Sequence, residues 1–290
     1  MRTVFITGIR GFLGSQLEAY LASRSYRVVG SVGSAARPHS APEGSRFVLA
    51  LGEPVDTGVF AGVDVVIHCA HDFRPGSLQR NVEGTRRIAE AARRAGVSQQ
   101  VFLSSYSARS NATSEYGRAK YAIHHLCLAM NLTVLRPGLV VGPGGLFGRM
   151  AAACKSSPVV PLIDGGRAQV WVLGLDNFLE AMGTVLRSSR TGLFNLFNSE
   201  PVSLRTLLQE VKRAGGYHSV FAPVPARLML CSVWCASKLG VKLPISTDSI
   251  LGLMANQGAC EESDLPRLVA RVQTIQEMVH VAVSTVPRST

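Results

Sequence analysis

Tyr116 and Lys120 are four positions apart in the sequence, a spacing that places both side chains on one face of a helix. A phenol ordinarily has a pKa of about 10, so it exchanges protons near neutral pH only when a cation lies close to it. Lys120 supplies that cation, and Ser105, at the end of a predicted strand, has a hydroxyl that can orient a substrate oxygen against the phenol. The three residues predict an acid/base site that acts on a hydroxyl or carbonyl group.

A glycine-rich turn, residues 7–14, follows an apolar run at the start of the chain, and leucines then recur at every fourth position. The pattern predicts strand, turn and helix in that order. In such a unit Gly8 takes the tight turn, Gly11 lets the backbone approach a ligand, and Gly14 lets helix and strand pack closely. A pyrophosphate would bind at the positive N-terminal end of the helix. We therefore expect a dinucleotide-binding site in this segment.

Further apolar runs alternate with helical patterns along the chain, and continuous apolar runs are typical of strands buried on both faces of a parallel sheet. Predicted strands after the first cover residues 26–32, 47–51, 63–70, 101–103, 132–135, 170–173 and 192–196. Predicted helices cover residues 81–95, 116–130, 176–186, 203–214, 225–239, 247–257 and 272–282. This order predicts an α/β protein whose last third is mostly helical.

The composition narrows the class of protein. Its 290 residues are 47% hydrophobic, and its net charge of +11 is carried by scattered arginines, which is typical of a solvated surface that attracts anions. No nucleic-acid-binding motif is present, and the cysteines do not have metal-ligand spacing. No signal-peptide pattern is found, and the apolar stretch 228–239 is too short to span a bilayer. We expect a cytoplasmic protein with free thiols, no metal, no nucleic-acid partner and no integral membrane segment.

The end of the second predicted strand bears on cofactor choice, because an Asp or Glu there binds the adenosine ribose hydroxyls of NAD. This chain has Gly33 and Ser34 at that point, followed by Arg37. With no acid to repel a 2'-phosphate, and with Arg10 in the glycine turn and Arg37 nearby, the sequence favours NADP, with NAD as the alternative.

The chain resembles the extended short-chain dehydrogenases/reductases, a group of NAD-dependent epimerases, dehydratases and reductases. The resemblance rests on motifs that occur in the family order over roughly residues 3–200: Thr7-Gly8-x-x-Gly11-x-x-Gly14, Asn81-Val82-Glu83-Gly84-Thr85, Ser104-Ser105, Tyr116-x-x-x-Lys120, Leu135-Arg136-Pro137-Gly138, Gly142-Pro143 and Asp176-Asn177.

The resemblance implies a Rossmann fold, a doubly wound parallel sheet, with a small, mostly helical C-terminal substrate lobe. It implies an NAD(P)-binding domain over residues 1–200, whose loop 138–168 contributes to the substrate site, a substrate-binding lobe over 201–290, and a homodimer. Tyr116 would be the acid/base, and Lys120 would bind the nicotinamide ribose. Ser105 would bind the substrate oxygen, with Ser107 as the alternative serine. The expected cofactor-binding residues are Gly8, Arg10, Gly11, Phe12, Leu13, Gly14, Arg37, Cys69, Ala70, Tyr116, Lys120, Pro137 and Gly138.

Departures from the family pattern bear on the reaction. Dehydratases carry an Asp-Glu pair after the catalytic hydroxyl, where this chain has Tyr106 and Ser107, which argues against dehydration. Members that act on nucleotide sugars usually have Asn where this chain has Leu139 and Arg where it has Val170. Arg149 or Arg167 could replace that positive charge. His124 stands where the family often has Glu.

The sequence favours NADPH-dependent reduction of a carbonyl on a nucleotide-activated sugar, with Tyr116 protonating the oxygen. Three alternatives stay open. They are a sugar-nucleotide 4-epimerase, a reductase or dehydrogenase of a hydrophobic alcohol or ketone, and a non-catalytic NADP-binding sensor or assembly protein.

Overall fold

A computed structural model describes residues 1–33, 46–238, 248, 250–252 and 261–285. The chain forms two compact units. The first comprises Met1–Ser110, Glu115–Arg136 and Met182–Phe194, and the second comprises Asn111–Ser114, Pro137–Ala181 and Asn195–Thr290. Residues 137–181 therefore group with the C-terminal part of the chain, while the functional boundary at residue 200 stays a prediction.

In the described part of the chain, the central sheet has seven strands: β1 (Thr3–Thr7), β2 (Arg27–Val32), β3 (Arg46–Val48), β4 (Val65–His68), β5 (Gln99–Leu103), β6 (Thr133–Pro137) and β11 (Gly192–Leu196). Their order in the sheet is β11-β6-β5-β4-β1-β2-β3. All pairings among β1 to β6 are parallel. The strand order reverses between β1 and β4, so a crevice forms where their carboxyl ends diverge. This arrangement confirms the predicted doubly wound sheet.

Helices α1 (Phe12–Ala22), α2 (Leu78–Arg94) and α3 (Glu115–Ala129) belong to the first unit. The helix α2 is strongly amphipathic. Its buried face includes Ile88, which packs in a core cluster with Phe5 and Phe60, while its outer face carries ion pairs between Glu83 and the two arginines Arg86 and Arg87. Ion pairs at this spacing stabilise the helix on its solvent side, and burial of the apolar face holds the helix against the core.

The described strands of the second unit are β7 (Leu139–Val141), β8 (Val159–Ile163), β9 (Gln169–Val170), β10 (Val172–Gly174), β12 (Val202–Ser203) and β13 (Val220–Val224). They pair as two-stranded sheets, β7 with β10, β8 with β13, and β9 with β12. The helices that follow β7 are α4 (Gly145–Ser156), α5 (Leu175–Ser188), α6 (Leu204–Gly215), α7 (Ala226–Lys238) and α8 (Ile275–Ser284). A core cluster of α4, α6 and α8 side chains around β7 and β10 includes Phe147, Leu207 and Val279.

Several sequence expectations for this unit need correction. The segment 138–168, expected to be a loop, contains β7, α4 and β8. The strand expected at 170–173 is interrupted at Trp171, whose carbonyl oxygen accepts a hydrogen bond of 2.7 Å from the backbone N–H of Leu139. The C-terminal third also contains β13. Most of the predicted helix 247–257 lies outside the described residues.

Two helices of this unit begin at side-chain caps. Ser203 caps α6, because its side chain accepts a hydrogen bond from the backbone N–H of Thr206. A capping box formed by Thr274 and Glu277 likewise starts α8. Within the described parts of the chain, every helix is too short or too polar to cross a membrane.

Candidate active site

The glycine turn between β1 and α1 is so tightly packed that side chains do not fit at two of its positions. Gly8 has φ +66°, and a Cβ atom there would lie 2.9 Å from the Cα atom of Ala70. A Cβ atom on Gly14 would lie 2.5 Å from the carbonyl oxygen of Gly8. Gly11 is the N-cap of α1, and no side chain in the described part of the chain caps it. The turn thus presents bare backbone at a helix N-terminus, which fits the pyrophosphate of a dinucleotide.

Thr7, the last residue of β1, ties this turn to the segment after β4. Its side-chain oxygen Oγ1 accepts hydrogen bonds from the backbone N–H groups of Cys69 at 3.0 Å and Ala70 at 3.1 Å. Cys69 and Ala70 are half-buried, and the pKa of the Cys69 thiol is raised to about 12 by burial, so the thiol stays protonated. Both residues lie at the β1/β4 crevice, and their binding of a cofactor stays a prediction.

Lys120 is buried on α3 and is 4% exposed. Its ammonium group donates a hydrogen bond of 2.6 Å to the carbonyl oxygen of Leu103 and lies 5.8 Å from the ring centroid of Tyr116. Burial lowers the pKa of Lys120 to about 8. The predicted phenol and ammonium group therefore lie together, one helical turn apart on α3.

Tyr116 is flanked by two further aromatic side chains. The imidazole of His71 lies edge-on, with 4.9 Å between ring centroids, and the ring of Phe73 is stacked at 5.8 Å with an interplanar angle of 12°. The ring centroids of His71 and Phe73 are 4.7 Å apart. Phe73 had no signal in the sequence, because an aromatic residue in a polar loop belongs to no periodic pattern.

The serines after β5 have separate environments. Ser105 is half-buried, and its Oγ accepts a hydrogen bond of 3.2 Å from the backbone N–H of Ser107. Ser104 is buried, with its Oγ at 3.4 Å from Nδ1 of His124. His124 therefore contacts the residue that precedes the predicted catalytic serine, at the end of β5.

Asn81 holds the loop that carries His71 and Phe73. Its Oδ1 accepts a hydrogen bond of 2.8 Å from the backbone N–H of Asp72, and its Nδ2 donates to the carbonyl oxygens of Asp72 at 2.9 Å and Ser77 at 3.1 Å. Asn81 is 1% exposed, so these bonds have little competition from water. The residue belongs to a motif recognised in the sequence, but its function as a loop clasp required the structure.

A scan against protein-family models matches residues 4–196 to the NAD dependent epimerase/dehydratase family. The chain belongs to this family. Membership confirms the predicted resemblance and places the protein among NAD-dependent enzymes.

Individual relatives were also found. A UDP-glucose 4-epimerase of Mycolicibacterium smegmatis is 38% identical over 122 residues, which span 36% of this chain and 39% of that protein. The crystal structure of gox2253 is 21% identical with a TM-score of 0.73, and covers 98% of this chain and 97% of its own. MoeE5, solved in complex with UDP-glucose and NAD, is 21% identical with a TM-score of 0.69, and 97% of each chain is covered. At these identities the two structures share the fold.

The other residues predicted to bind the cofactor lie in three parts of the chain. Phe12 and Leu13 are half-buried in the first turn of α1, and Arg10 is exposed beside them. Pro137 ends β6, and the backbone N–H of Gly138 donates a hydrogen bond of 2.9 Å to the carbonyl oxygen of Leu196 in the second unit. Arg37 lies outside the described residues. The catalytic and cofactor-binding roles of all these residues stay predictions.

Three further positions have structural environments of their own. His68 is the last residue of β4, is 3% exposed, and its Nε2 lies 2.9 Å from Oε1 of Gln100. Val170 is 2% exposed in the core of the second unit, and Leu139 packs against the same core. These two positions therefore serve packing.

Proposed function

We propose that this protein is an NAD-dependent epimerase that acts on a hydroxyl group of a nucleotide-activated sugar. The single observation that carries the proposal is the pairing of Tyr116 with the buried ammonium group of Lys120 at the end of β5. The similarity to a UDP-glucose 4-epimerase supports the reaction and the substrate class. The missing Asp-Glu pair after Ser105 argues against dehydration.

The cofactor would bind across the β1/β4 crevice. Gly8, Gly11 and Gly14 would hold the pyrophosphate at the N-terminus of α1, and Lys120 the nicotinamide ribose. When bound, the nicotinamide ring accepts and returns a hydride.

The side chains of this protein would move the proton. Tyr116 would remove it through its phenolic oxygen from the hydroxyl being oxidised, and would return it when the carbonyl oxygen is reduced again. The positive charge of Lys120 stabilises the phenolate form of Tyr116. Ser105 would donate a hydrogen bond to the same substrate oxygen and so align it with the phenol.

The test uses NAD and UDP-glucose with the Tyr116→Phe variant. We expect conversion to UDP-galactose to fall by about 10²–10⁴-fold, the usual contribution of a general acid/base, while NAD affinity measured by calorimetry changes less than about twofold. The matched control is Tyr121→Phe, a half-buried tyrosine on the same helix whose ring contacts His125. If wild type and Tyr116→Phe both bind NAD and neither converts nucleotide sugars, the proposal is wrong and a non-catalytic sensor is favoured.

A second candidate is NADPH-dependent reduction of a keto sugar. The observation that favours it is Gly33, which follows β2 where an acid would bind the ribose hydroxyls of NAD; among the described residues other than its chain neighbours, none has an atom within 4 Å of its Cβ position. This candidate predicts tighter binding of NADPH than NADH and stoichiometric consumption of NADPH. Arg10→Ala would narrow the affinity difference, because a charged hydrogen bond to the 2'-phosphate contributes about 1.5–3 kcal/mol. Equal affinities for the two cofactors would exclude it.

A further inference from the structure

The loop between β4 and α2 presents an aromatic surface next to the proposed acid/base. Phe73 is 79% exposed although it lies between Asp72 and Arg74 in a polar loop. One face of its ring stacks on Tyr116, so the apolar surface that stays open adjoins the phenol. Exposed apolar surface that is contiguous with a reactive side chain is typical of a ligand-binding wall.

His71 adds a polar group to the same surface. Its Nδ1 atom is buried and has no hydrogen-bond partner in the described part of the chain. A buried polar atom of this kind is unfavourable unless a ligand or water satisfies it. Burial, together with the nearby charge of Lys120, lowers the pKa of His71 to about 3. The imidazole is therefore neutral under ordinary conditions and keeps one N–H donor and one acceptor nitrogen.

The loop is held in place before any ligand arrives. The hydroxyl of Ser77 donates a hydrogen bond of 2.7 Å to the carbonyl oxygen of Asp72, in addition to the bonds made by Asn81. The Asp72 carboxylate accepts hydrogen bonds from Arg74 at 2.7 Å and Arg80 at 2.7 Å, which hold its pKa well below the usual range. A surface fixed in this way loses little conformational entropy on binding.

We propose that His71 and Phe73 position the hexose ring of the substrate against Tyr116, with Nδ1 of His71 hydrogen-bonded to a sugar hydroxyl and Phe73 packed on an apolar C–H face of the ring. A pyranose ring has hydroxyl groups and an apolar C–H face. These two features match the neutral hydrogen-bonding imidazole of His71 and the aromatic face of Phe73 next to it. The proposal rests on the proposed function and specifies two residues that determine which sugar the site accepts. Tyr116 performs the proton transfer, and His71 and Phe73 are positioning residues.

The experiment compares UDP-glucose with UDP as calorimetric probes of the NAD-loaded protein. Wild type is expected to bind UDP-glucose more tightly than UDP. His71→Phe keeps the ring contacts but removes Nδ1, so it should weaken UDP-glucose binding by about tenfold or more and leave UDP and NAD binding within about twofold. His71→Asn, whose amide oxygen can accept the same hydrogen bond, should recover part of the loss.

Phe73→Ala should raise KM for UDP-glucose by about three- to tenfold, and Phe73→Tyr, which keeps the aromatic face, should restore it. Because Phe73 is exposed, neither variant should alter folding. His125→Asn and Val220→Ala, which replace exposed residues, are the matched controls. Preference for UDP-glucose over UDP that survives in both His71→Phe and Phe73→Ala would overturn the proposal.

A wild-type protein that binds UDP and UDP-glucose equally would overturn it as well. That result is distinguishable from failure of the proposed function, because NAD binding and the effect of Tyr116→Phe on turnover are measured separately.

Discussion

The ammonium group of Lys120 donates a hydrogen bond of 2.6 Å to the carbonyl oxygen of Leu103, the last residue of β5. This bond joins the helix that carries Tyr116 to the carboxyl edge of the central sheet. It gives the buried amine a partner and also fixes its position 5.8 Å from the Tyr116 ring centroid. The charge that a phenolate requires is therefore held by the backbone of the sheet.

Removal of the Lys120 amine is predicted to change how stability depends on pH. Burial lowers the pKa of Lys120 from 10.5 to about 8, so between these values the unfolded chain binds more protons than the folded one. The free energy of unfolding of wild type should therefore rise with pH across this window, by at most about 3 kcal/mol, relative to Lys120→Met. Urea unfolding at about pH 7 and about pH 10 measures the difference.

Lys155→Met, which replaces an exposed lysine on α4, is the control for this comparison. Turnover of wild type should also decline above about pH 8, where Lys120 loses its charge. Parallel pH dependence of stability in wild type and Lys120→Met would contradict the prediction.

The glycine turn gives a prediction with an internal control. In Gly14→Ala the new methyl group would lie 2.5 Å from the carbonyl oxygen of Gly8 and 2.9 Å from the Cα atom of Ile9. Backbone must shift to accommodate it, so we expect about 1–3 kcal/mol of destabilisation and loss of NAD binding. Gly33→Ala adds a methyl group that, apart from its chain neighbours, has no atom of the described residues within 4 Å, and it should change stability by less than about 0.5 kcal/mol. Equal effects of the two substitutions on thermal unfolding would refute this account.

His68 is predicted to contribute to acid sensitivity. Burial lowers its pKa from 6.5 to about 4, and the hydrogen bond that Nε2 donates to Oε1 of Gln100 offsets part of that shift. Its contribution to stability is fully present above pH 6.5 and is lost as the pH falls toward 4, because the unfolded chain takes up the proton first. The loss is at most about 3 kcal/mol. In His68→Asn the denaturation midpoint should depend less on pH between these values than it does in wild type. In His125→Asn, which changes an exposed position, the pH dependence of the midpoint should match that of wild type.

Local patterns were sufficient to predict much of the first unit. The spacing of Tyr116 and Lys120 fixed their shared helical face, and the glycine turn identified the β1–α1 connection, because both depend on residues adjacent in the sequence. The pairing of β8 with β13 depends on segments about sixty positions apart, which share no local signal. Phe73 and the Nδ1 atom of His71 were likewise recognisable only once the loop was folded beside Tyr116.

Asn81→Ala is predicted to weaken both the loop and the substrate site. The substitution removes the acceptor for the backbone N–H of Asp72 and the donor to the carbonyl oxygens of Asp72 and Ser77. Because Asn81 is buried, we expect about 1–3 kcal/mol of destabilisation by urea unfolding. The loosened loop should no longer hold His71 and Phe73 against Tyr116, so KM for UDP-glucose should rise at temperatures where the variant is still folded.

The control for this clasp is Gln79→Ala, which changes an exposed position in the first turn of α2. It should leave both stability and KM near the wild-type values, since its side chain does not hold the loop. NAD affinity should be preserved in both variants, because the glycine turn and Lys120 are unchanged. If Asn81→Ala lowered stability but left the KM for UDP-glucose at the wild-type value, the clasp would serve folding alone, and the loop would have no part in placing the sugar.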